Sequence, residues 1–321
     1  MSWVEVTDFS YTYPGEKEPV LQNLNFCVDQ GDFAVITGKS GCGKSTFGKA
    51  LAGFLFQDEE LRYSGHINVN GIDMTCIPLY DASEKVGYVQ QNPEDQFCTL
   101  TVMDEIAFGL ENYRVPPAEI DHRVDDALAI VQGLDLKDRD LATLSGGEKQ
   151  KIAIATMLAL SPDVLILDEP TSNLDPAATQ KIFETLYHMR KVKNLTVIII
   201  EHKLAQLIPF NPTIFVLEAG RLSPVQDLPA FFFDVENPKT PIPVSQKQKR
   251  GTNPVVQLSH LDITLEGYKI LSDINLELHQ GEFAALMGPN GSGKSTLLQT
   301  IMGLNPLSGG ACRVFDQNID Q

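Results

Sequence analysis

"GKSGCGKST" occupies residues 38–46 of the chain, and "GPNGSGKST" occupies residues 288–296, 250 positions later. Both stretches have the spacing G-x-x-x-x-G-K-S, and both follow a short apolar segment. Glycines at these positions let the backbone wrap closely, so that successive amide groups and a helix N-terminus point toward phosphate oxygens. The two stretches therefore predict a strand, a phosphate-binding loop and a helix, each formed twice in one chain.

Each loop contains the side chains needed to hold a nucleoside triphosphate. Lys44 would reach the β- and γ-phosphates, and the Ser45 hydroxyl would bind Mg²⁺. Lys294 and Ser295 repeat this chemistry in the second loop. The residues expected to surround the phosphates are Gly38, Lys39, Ser40, Gly41, Cys42, Gly43, Lys44, Ser45 and Thr46, and then Gly288, Pro289, Asn290, Gly291, Ser292, Gly293, Lys294, Ser295 and Thr296.

The two loops belong to a long internal repeat. Residues 19–47 align with residues 269–297 at an offset of 250. A period this long indicates duplicated domains, not a solenoid. Residues 235–254 carry four prolines and no helical or strand periodicity, which predicts a linker. We expect a complete first domain at residues 1–234 and, at residues 255–321, the N-terminal part of a second domain that is cut short.

Apolar segments alternate with helical patterns through the first repeat. Residues 33–38, 164–170 and 196–202 are predicted strands, and helices are predicted at residues 43–55 and 179–192. Apolar strands interleaved with helices predict an α/β fold in which a parallel sheet is covered on both faces.

Two further segments add chemistry to the first repeat. "VLILDEP" (residues 164–170) is an apolar strand that ends in two carboxylates. Asp168 can hold Mg²⁺ through its water shell, and Glu169 can polarise a water that attacks the γ-phosphate. "LSGGE" (residues 144–148) opens a long helix with Ser145, Gly146 and Gly147, whose hydroxyl and free amides are typical of an anion site.

Together, the phosphate loop, the strand ending in Asp-Glu and the LSGGE segment resemble the nucleotide-binding domain of the ATP-binding cassette (ABC) family over residues 2–234. The resemblance implies a P-loop NTPase fold with a mixed, mostly parallel core sheet, an antiparallel β subdomain and a helical subdomain. It implies ATP and Mg²⁺ as ligands. It also implies that LSGGE of one domain closes over the γ-phosphate held by a partner domain or chain.

Other family positions follow from the same resemblance. Tyr13 matches the aromatic residue that stacks on adenine, with Tyr11 as the rival. Gln91 matches the glutamine that reaches Mg²⁺ and the attacking water, although the adjacent Gln90 is an alternative. Asp175 matches the aspartate that communicates across the paired domains. His202 matches the histidine that contacts the γ-phosphate, so the implied catalytic set is Lys44, Gln91, Glu169 and His202.

The second repeat departs from the family pattern. Leu265 or a neighbour aligns with Tyr13, and Tyr268 is displaced by three positions, which leaves adenine stacking open there. No second LSGGE, Asp-Glu strand or equivalent of His202 occurs before Gln321. We expect the short second domain to be unstable or prone to aggregation, because an incomplete α/β domain exposes sheet edges and apolar faces.

Composition narrows the function classes. Apolar residues make up 43% and charged residues 21% of the chain, as in ordinary globular proteins. No apolar run approaches the roughly 18 residues that a membrane-spanning helix needs, and the N-terminus does not resemble a signal peptide. A net charge of −17 disfavours nucleic acid as a partner. The five scattered cysteines predict neither zinc nor disulfides, and we expect them to be reduced.

Residues 91–112, "QNPEDQFCTLTVMDEIAFGLEN", are similar to the corresponding stretch of ATPases from energy-coupling factor (ECF) transporters. That subgroup resemblance implies a groove for a transmembrane T component and a separate S component that captures a vitamin or metal ion. It places the protein in the cytoplasm, peripheral to the inner face of the cell membrane. The alternative for "MDEIAFGL" is an amphipathic helix that packs only on its own domain.

Two other functions stay open from the sequence. The chain is either a transport ATPase, as above, or a soluble ABC ATPase that acts as a regulatory or nucleic-acid-linked switch. A third reading is a fragment that binds nucleotide without hydrolysing it, unless two first domains pair and each lends Ser145 to the other.

Overall fold

A computed structural model describes residues 2–57, 62–172, 174–226, 231, 254–265, 267–288 and 291–319. The chain forms two compact units, Met1–Lys239 and Thr240–Gln321. The predicted linker at residues 235–254 lies outside the described residues except for Pro254, where a strand begins. Pro289 and Asn290 of the second phosphate loop also lie outside them.

The described part of the first unit contains ten strands and six α-helices. The strands are β1 (Ser2–Thr12), β2 (Leu21–Asp29), β3 (Phe33–Thr37), β4 (Arg62–Val69), β5 (Ile72–Asp73), β6 (Val86–Val89), β7 (Val164–Asp168), β8 (Thr196–Ile200), β9 (Thr213–Glu218) and β10 (Arg221–Pro224). The helices are α1 (Lys44–Leu51), α2 (Leu79–Lys85), α3 (Val102–Asn112), α4 (Pro117–Ile130), α5 (Gly146–Ala159) and α6 (Pro176–Lys193).

The strands form two sheets. The core sheet has the order β10-β9-β3-β8-β7-β6 and is parallel except for β10, which pairs antiparallel with β9. A second, antiparallel sheet has the order β2-β1-β4-β5. The predicted P-loop ABC fold, with its mixed core sheet, antiparallel subdomain and helical region, is therefore confirmed.

Two apolar cores cover the two faces of the core sheet. β3, β7 and β8 are buried at every position, as expected for central parallel strands. One core joins the sheet to α1 and the antiparallel sheet, with Phe26 and Phe47 fitted edge to face at 5.5 Å. The other core joins it to α3, α4, α5 and α6 through residues such as Ile106, Leu128 and Phe183. Both faces of the core sheet are therefore covered by packed apolar side chains.

Helix α1 is shorter than predicted. The sequence pattern predicts a helix over residues 43–55, but α1 ends at Leu51 and a separate 3₁₀ turn follows at Phe54–Phe56. Gly53 lies between them with φ 79°, a left-handed conformation that ends a helix at little steric cost.

The second unit contains strands β11 (Pro254–Leu265), β12 (Tyr268–His279), β13 (Gly309–Val314) and β14 (Gln317–Asn318), and helix α7 (Lys294–Ile301). Its sheet order, β12-β11-β13-β14, matches that of the antiparallel sheet in the first unit. His260 and Asp273 adopt left-handed φ angles of 48° and 52°, as Asp8 and Asn23 do at 48° and 47°. The backbone therefore repeats with the sequence.

The two units differ at the strand before the phosphate loop. Phe33 in β3 is 2% exposed, whereas its counterpart Phe283 is fully exposed and lies in a segment without strand pairing. In the first unit, β3 lies between β8 and β9. Within residues 254–265, 267–288 and 291–319, no strand takes the place of those two neighbours.

Candidate active site

The predicted site residues converge because they follow the carboxyl ends of adjacent parallel strands. Ile36 in β3 and Asp168 in β7 both pair with Ile200 in β8, so these three strands end in one row. Val89 in β6 pairs with Leu167 and ends beside them. Loops at the carboxyl edge of a parallel sheet form its usual ligand site. The phosphate loop, the two carboxylates, Gln91 and His202 all start from this edge.

The first phosphate loop is held in a conformation that requires glycine. Gly38, Gly41 and Gly43 have φ angles of 151°, 77° and 103°. A Cβ atom on Gly38 would lie 2.1 Å from the backbone oxygen of Leu217, which no side chain tolerates. The loop therefore passes close to β9 and turns its amides toward the N-terminus of α1, where an anion binds favourably.

Lys44 lies within this loop. The side chain is 5% exposed, and its Nζ donates to the carbonyl oxygens of Gly38 and Lys39, both at 3.0 Å. The ammonium group is therefore placed over the loop and is available to phosphate oxygens. Ser45 is half-buried in the first turn of α1, next to Lys44.

The second loop repeats the backbone of the first. Gly288, Gly291 and Gly293 have φ angles of 156°, 76° and 86°, and Lys294 Nζ donates to the Gly288 carbonyl at 2.8 Å. Ser295 follows in the first turn of α7. This second loop is more exposed than the first, since the residues before it, including Leu286 and Met287, face solvent.

Asp168 is buried at the end of β7 with its two carboxylate oxygens in different surroundings. Tyr88 in β6 donates its hydroxyl to Oδ2 at 2.9 Å, and both side chains are nearly inaccessible, at 6% and 4% exposed. Burial raises the pKa of the Tyr88 phenol far above its usual value, and the charge of Asp168 raises it further. The phenol therefore stays protonated and acts as a donor.

The other oxygen, Asp168 Oδ1, is buried and has no hydrogen-bond partner among the described residues. Buried polar atoms without a partner are uncommon and costly, so this atom fits a site that a hydrated cation completes. Among the described residues, no cluster of three or more His, Cys, Asp or Glu side chains could hold a metal alone. Mg²⁺ does not need such a cluster, because it keeps several waters and takes one or two protein ligands beside phosphate oxygens.

Glu169 contacts two other members of the catalytic set that the family resemblance implies. Gln91 Nε2 donates to Glu169 Oε2 at 2.8 Å, and His202 Nε2 lies 2.9 Å from Glu169 Oε1. Glu169 itself has φ 45°, an unusual angle for a residue with a side chain. Its carboxylate is therefore fixed in direction by three strand ends at once, whereas Gln90 donates its backbone amide to Gln96 instead.

Glu201 was not found from the sequence, although it supports this group. It is 2% exposed, and its Oε1 accepts from the backbone amides of His202 at 2.7 Å and Lys203 at 3.0 Å. Its Oε2 accepts from the hydroxyl of Thr171, a fully buried residue that follows Glu169 by two positions. Glu201 thereby links the loop that carries His202 and Lys203 to Thr171, in the segment that follows Asp168 and Glu169. Its sequence signal is a lone carboxylate directly after a strand that is buried at every position.

Ser145 caps helix α5, which starts where the sequence predicts. Its hydroxyl accepts from the Glu148 amide at 3.4 Å, and Glu148 Oε2 accepts from the Ser145 amide at 2.7 Å, which forms a capping box. A Cβ atom on Gly146 would meet nothing within 4 Å, whereas one on Gly147 would lie 3.3 Å from Leu174 Cδ2. Asp175 caps α6 by accepting from the Ala178 amide at 2.8 Å.

Tyr13 and Tyr11 have different surroundings. Tyr11 is 3% exposed in the core, whereas Tyr13 is 38% exposed and its hydroxyl lies 2.9 Å from Thr46 Oγ1 at the start of α1. The two rings pack edge to face with their centroids 5.1 Å apart, so the buried Tyr11 ring supports the Tyr13 ring. In the second unit, Leu265 pairs with Tyr268, and the register from the shared left-handed residues puts Leu265 in the place of Tyr13.

Within the described residues, no helix combines the length and the apolar character needed to cross a bilayer. The five cysteines are free thiols.

Comparison with known proteins identifies the relatives of this arrangement. The family model described as ABC transporter matches residues 21–172 and 271–321. An ABC transporter ATP-binding protein of Methanosarcina mazei, provisionally so named, is 33% identical over 370 residues, which cover 98% of this chain and 63% of that protein. A Bacillus subtilis protein, YkoD, provisionally named as an HMP/thiamine import ATP-binding protein, is 31% identical over 98% of this chain and 64% of its own length.

A solved structure with a similar sequence and fold also comes from an ABC transporter. It is cbiO1 from Clostridium perfringens, titled as part of the ABC transporter complex cbiONQ, and it is 32% identical. Its TM-score is 0.65, and the match covers 73% of this chain and 92% of that one. The chain spans less than two thirds of the length of the two curated relatives above.

Proposed function

Because the chain belongs to the ABC transporter family, we propose that it binds and hydrolyses ATP to energise a membrane uptake transporter of the ECF type. The observation that carries the catalytic part is the carboxylate of Glu169, held between Gln91 at 2.8 Å and His202 at 2.9 Å. A general base must be aimed at the water that it activates, and this arrangement fixes its direction.

The reaction follows from these positions. Glu169 accepts a proton from a water whose oxygen attacks the γ-phosphorus, and the bond from that phosphorus to the β–γ bridging oxygen breaks, releasing ADP. Lys44 and His202 stabilise the negative charge on the transferred group. Ser45, Gln91 and Asp168 would hold Mg²⁺ in the first site, and Ser295 in the second. When bound, Mg²⁺ offsets charge on the β- and γ-phosphates.

The adenine base would stack on Tyr13. Its ring is supported by Tyr11 at 5.1 Å, and its hydroxyl is held to Thr46, one residue after Ser45. Leu265 offers no ring in the second unit, so the second phosphate loop would bind ATP without that stacking contribution.

Closure would need a second ATPase domain. The hydroxyl of Ser145 and the amides of Gly146 and Gly147 at the start of α5 form the surface that would cover the γ-phosphate of a partner site. Asp175, which begins α6, would transmit that pairing. We assign residues 1–234 to one nucleotide-binding domain and residues 255–321 to the start of another, with pairing partners in this protein or in a second chain.

The transport part of the proposal rests on the surface after Gln91. Helix α3 buries Ile106 and Leu110 against the core but leaves Phe108 46% exposed, and Leu100 just before the helix is 77% exposed. Large apolar side chains that are exposed in the segment following Gln91 are typical of a docking surface. Helix α3 therefore both packs on its own domain and presents a face to a partner.

We assign that face to the T component of an uptake transporter, with a vitamin or metal ion captured by a separate S component. The names of the Bacillus and Clostridium relatives, one for HMP/thiamine import and one for the cbiONQ complex, support import. The protein would then lie in the cytoplasm against the inner face of the cell membrane. The alternative function is a soluble ABC switch; the net charge of −17 argues against a nucleic-acid partner for it.

Membrane association distinguishes these two functions. We expect the protein produced in its own cells to sediment with the membrane fraction, and Phe108→Glu to release it. Val192→Glu is the matched control, because Val192 is also exposed, at 65%, but belongs to helix α6. A protein that stays in the supernatant in all three forms would favour the soluble switch.

A further inference from the structure

The side chain of Tyr88 has no assigned role, yet it contacts the carboxylate expected to hold Mg²⁺. Its hydroxyl lies 2.9 Å from Asp168 Oδ2, across 80 residues of sequence, and both groups are buried. Asp168 Oδ1 has no partner among the described residues. A carboxylate has two equivalent oxygens, and a hydrogen bond to one of them removes that equivalence. The phenol thereby determines which oxygen stays available.

Space for the Tyr88 ring comes from a glycine in helix α1. A Cβ atom on Gly48 would lie 3.1 Å from Tyr88 Cε2 and 2.7 Å from Ile200 Cδ1, so a larger residue would displace both neighbours. Glycine inside a helix is less favourable than alanine, so this residue is unfavourable for the helix unless the space is used. The repeat has Leu298 at the corresponding position of α7, 53% exposed.

The ring also contacts a second aromatic side chain. Phe54, in the 3₁₀ turn after α1, packs on Tyr88 edge to face with a centroid distance of 5.5 Å. Gly48, Phe54 and β6 therefore confine the phenol to a single direction, toward Asp168. A phenylalanine ring would fill this space equally well, so the packing alone does not require the hydroxyl group that tyrosine adds.

We propose that Tyr88 is a positioning residue that orients Asp168, so that Oδ1 faces the Mg²⁺ site and Oδ2 is held away from it. This inference rests on the proposed function, because it concerns the metal of the same ATP site. Partners that orient a metal-binding group typically change metal affinity by 10–100-fold. Since Asp168 acts through the water shell of Mg²⁺, we expect an effect of about 10-fold.

The test separates metal affinity from nucleotide affinity. Binding of Mn²⁺ in the presence of ADP is measured by electron paramagnetic resonance, and binding of ADP alone is measured by calorimetry with EDTA. In Tyr88→Phe, we expect Mn²⁺ to bind about 10-fold more weakly, while metal-free ADP binds as in the unmodified protein. Tyr80→Phe is the matched control, because it deletes a phenol hydroxyl that donates to the Asn112 carbonyl at the surface.

A second variant tests the role of the glycine. Gly48→Ala presses on the ring without removing its hydroxyl, so it should also weaken Mn²⁺ binding. Added to Tyr88→Phe it should cause a smaller loss than it causes alone, because the hydroxyl that it displaces is already gone and only the contact with Ile200 remains.

Three results would overturn the inference. Mn²⁺ affinity unchanged in Tyr88→Phe would mean that the hydroxyl does not orient Asp168. Equal losses of Mn²⁺ and metal-free ADP affinity would mean that Tyr88 only supports the local structure. An unmodified protein that binds neither ADP nor Mn²⁺-ADP would overturn the proposed function itself, and the inference with it.

Discussion

Replacing Glu201 should reveal how much the histidine loop depends on a buried carboxylate. In Glu201→Ala, three donors lose their acceptor: the amides of His202 and Lys203 and the hydroxyl of Thr171. A hydrogen bond to a charged group contributes about 1.5–3 kcal/mol, but the two loop amides can regain water, so the lower end applies to them. The expected loss of unfolding free energy is about 4 kcal/mol.

Glu201→Gln should behave very differently. The amide oxygen can still accept from His202 and Lys203, and the amide nitrogen can donate to the Thr171 hydroxyl, so all three groups keep a partner. We expect a loss of about 1 kcal/mol for this change.

Unfolding in urea can be followed by tryptophan fluorescence, because Trp3 is the one tryptophan of the chain and lies in β1 of the first unit. Glu184→Ala, on the exposed face of α6, is the matched control and should change stability by less than about 0.5 kcal/mol. A loss in Glu201→Ala no larger than in Glu201→Gln would refute the reasoning, since it would mean that the three donors do not depend on this carboxylate.

Three further predictions concern the loops and caps. Gly38→Ala should abolish nucleotide binding, because its Cβ would lie 2.1 Å from the Leu217 oxygen. In Gly41→Ala the new Cβ meets nothing within 4 Å, so backbone strain should lower the free energy of ADP binding by only about 1–2 kcal/mol. Calorimetry of ADP binding compares the two variants. Tyr13→Leu, which copies Leu265, should weaken ATP binding by about 1–3 kcal/mol, while Tyr13→Phe should keep most of it. Glu148 is partly desolvated, but hydrogen bonds from Ser145 and the charge of Arg139 hold the pKa of its carboxyl below the ordinary 4.5. Because folding lowers this pKa, the ionised carboxylate stabilises the protein above pH 4.5, and that stability is lost as pH falls through the pKa of the folded state. The unmodified protein and Glu148→Gln should therefore differ in Tm at pH 7 and converge in acid.

The features that the sequence predicts well are local ones. The phosphate loop, the strand ending in Asp168 and Glu169, and the capped helix at Ser145 are each specified by residues close together in the chain, so their patterns alone indicate their geometry. The parallel direction of the core strands follows from the same alternation, because parallel strands require helical crossovers, whereas their order, β10-β9-β3-β8-β7-β6, does not. The resemblance to a known family supplied the roles of Gln91 and His202, which have no distinctive local pattern.

The features that the sequence does not predict join residues far apart. Tyr88 and Asp168 are 80 positions apart, and Thr171 and Glu201 are 30 apart, so no local pattern pairs them. The sequence pattern also does not predict the early end of α1, because it places Gly53 inside the helix, whereas a φ of 79° at Gly53 ends it. The contrast between buried Phe33 and exposed Phe283 likewise depends on neighbouring strands and not on the similar sequences around them.

The central claim is that Glu169 activates water for ATP hydrolysis. The most direct measurement is steady-state ATP hydrolysis by the unmodified protein and by Glu169→Gln over a range of protein concentrations, with Glu184→Gln as the surface control. The account predicts turnover that rises with concentration, because sites close in pairs, and that falls by at least about 100-fold in Glu169→Gln with ATP binding retained. Equal turnover in Glu169→Gln and the unmodified protein would contradict it.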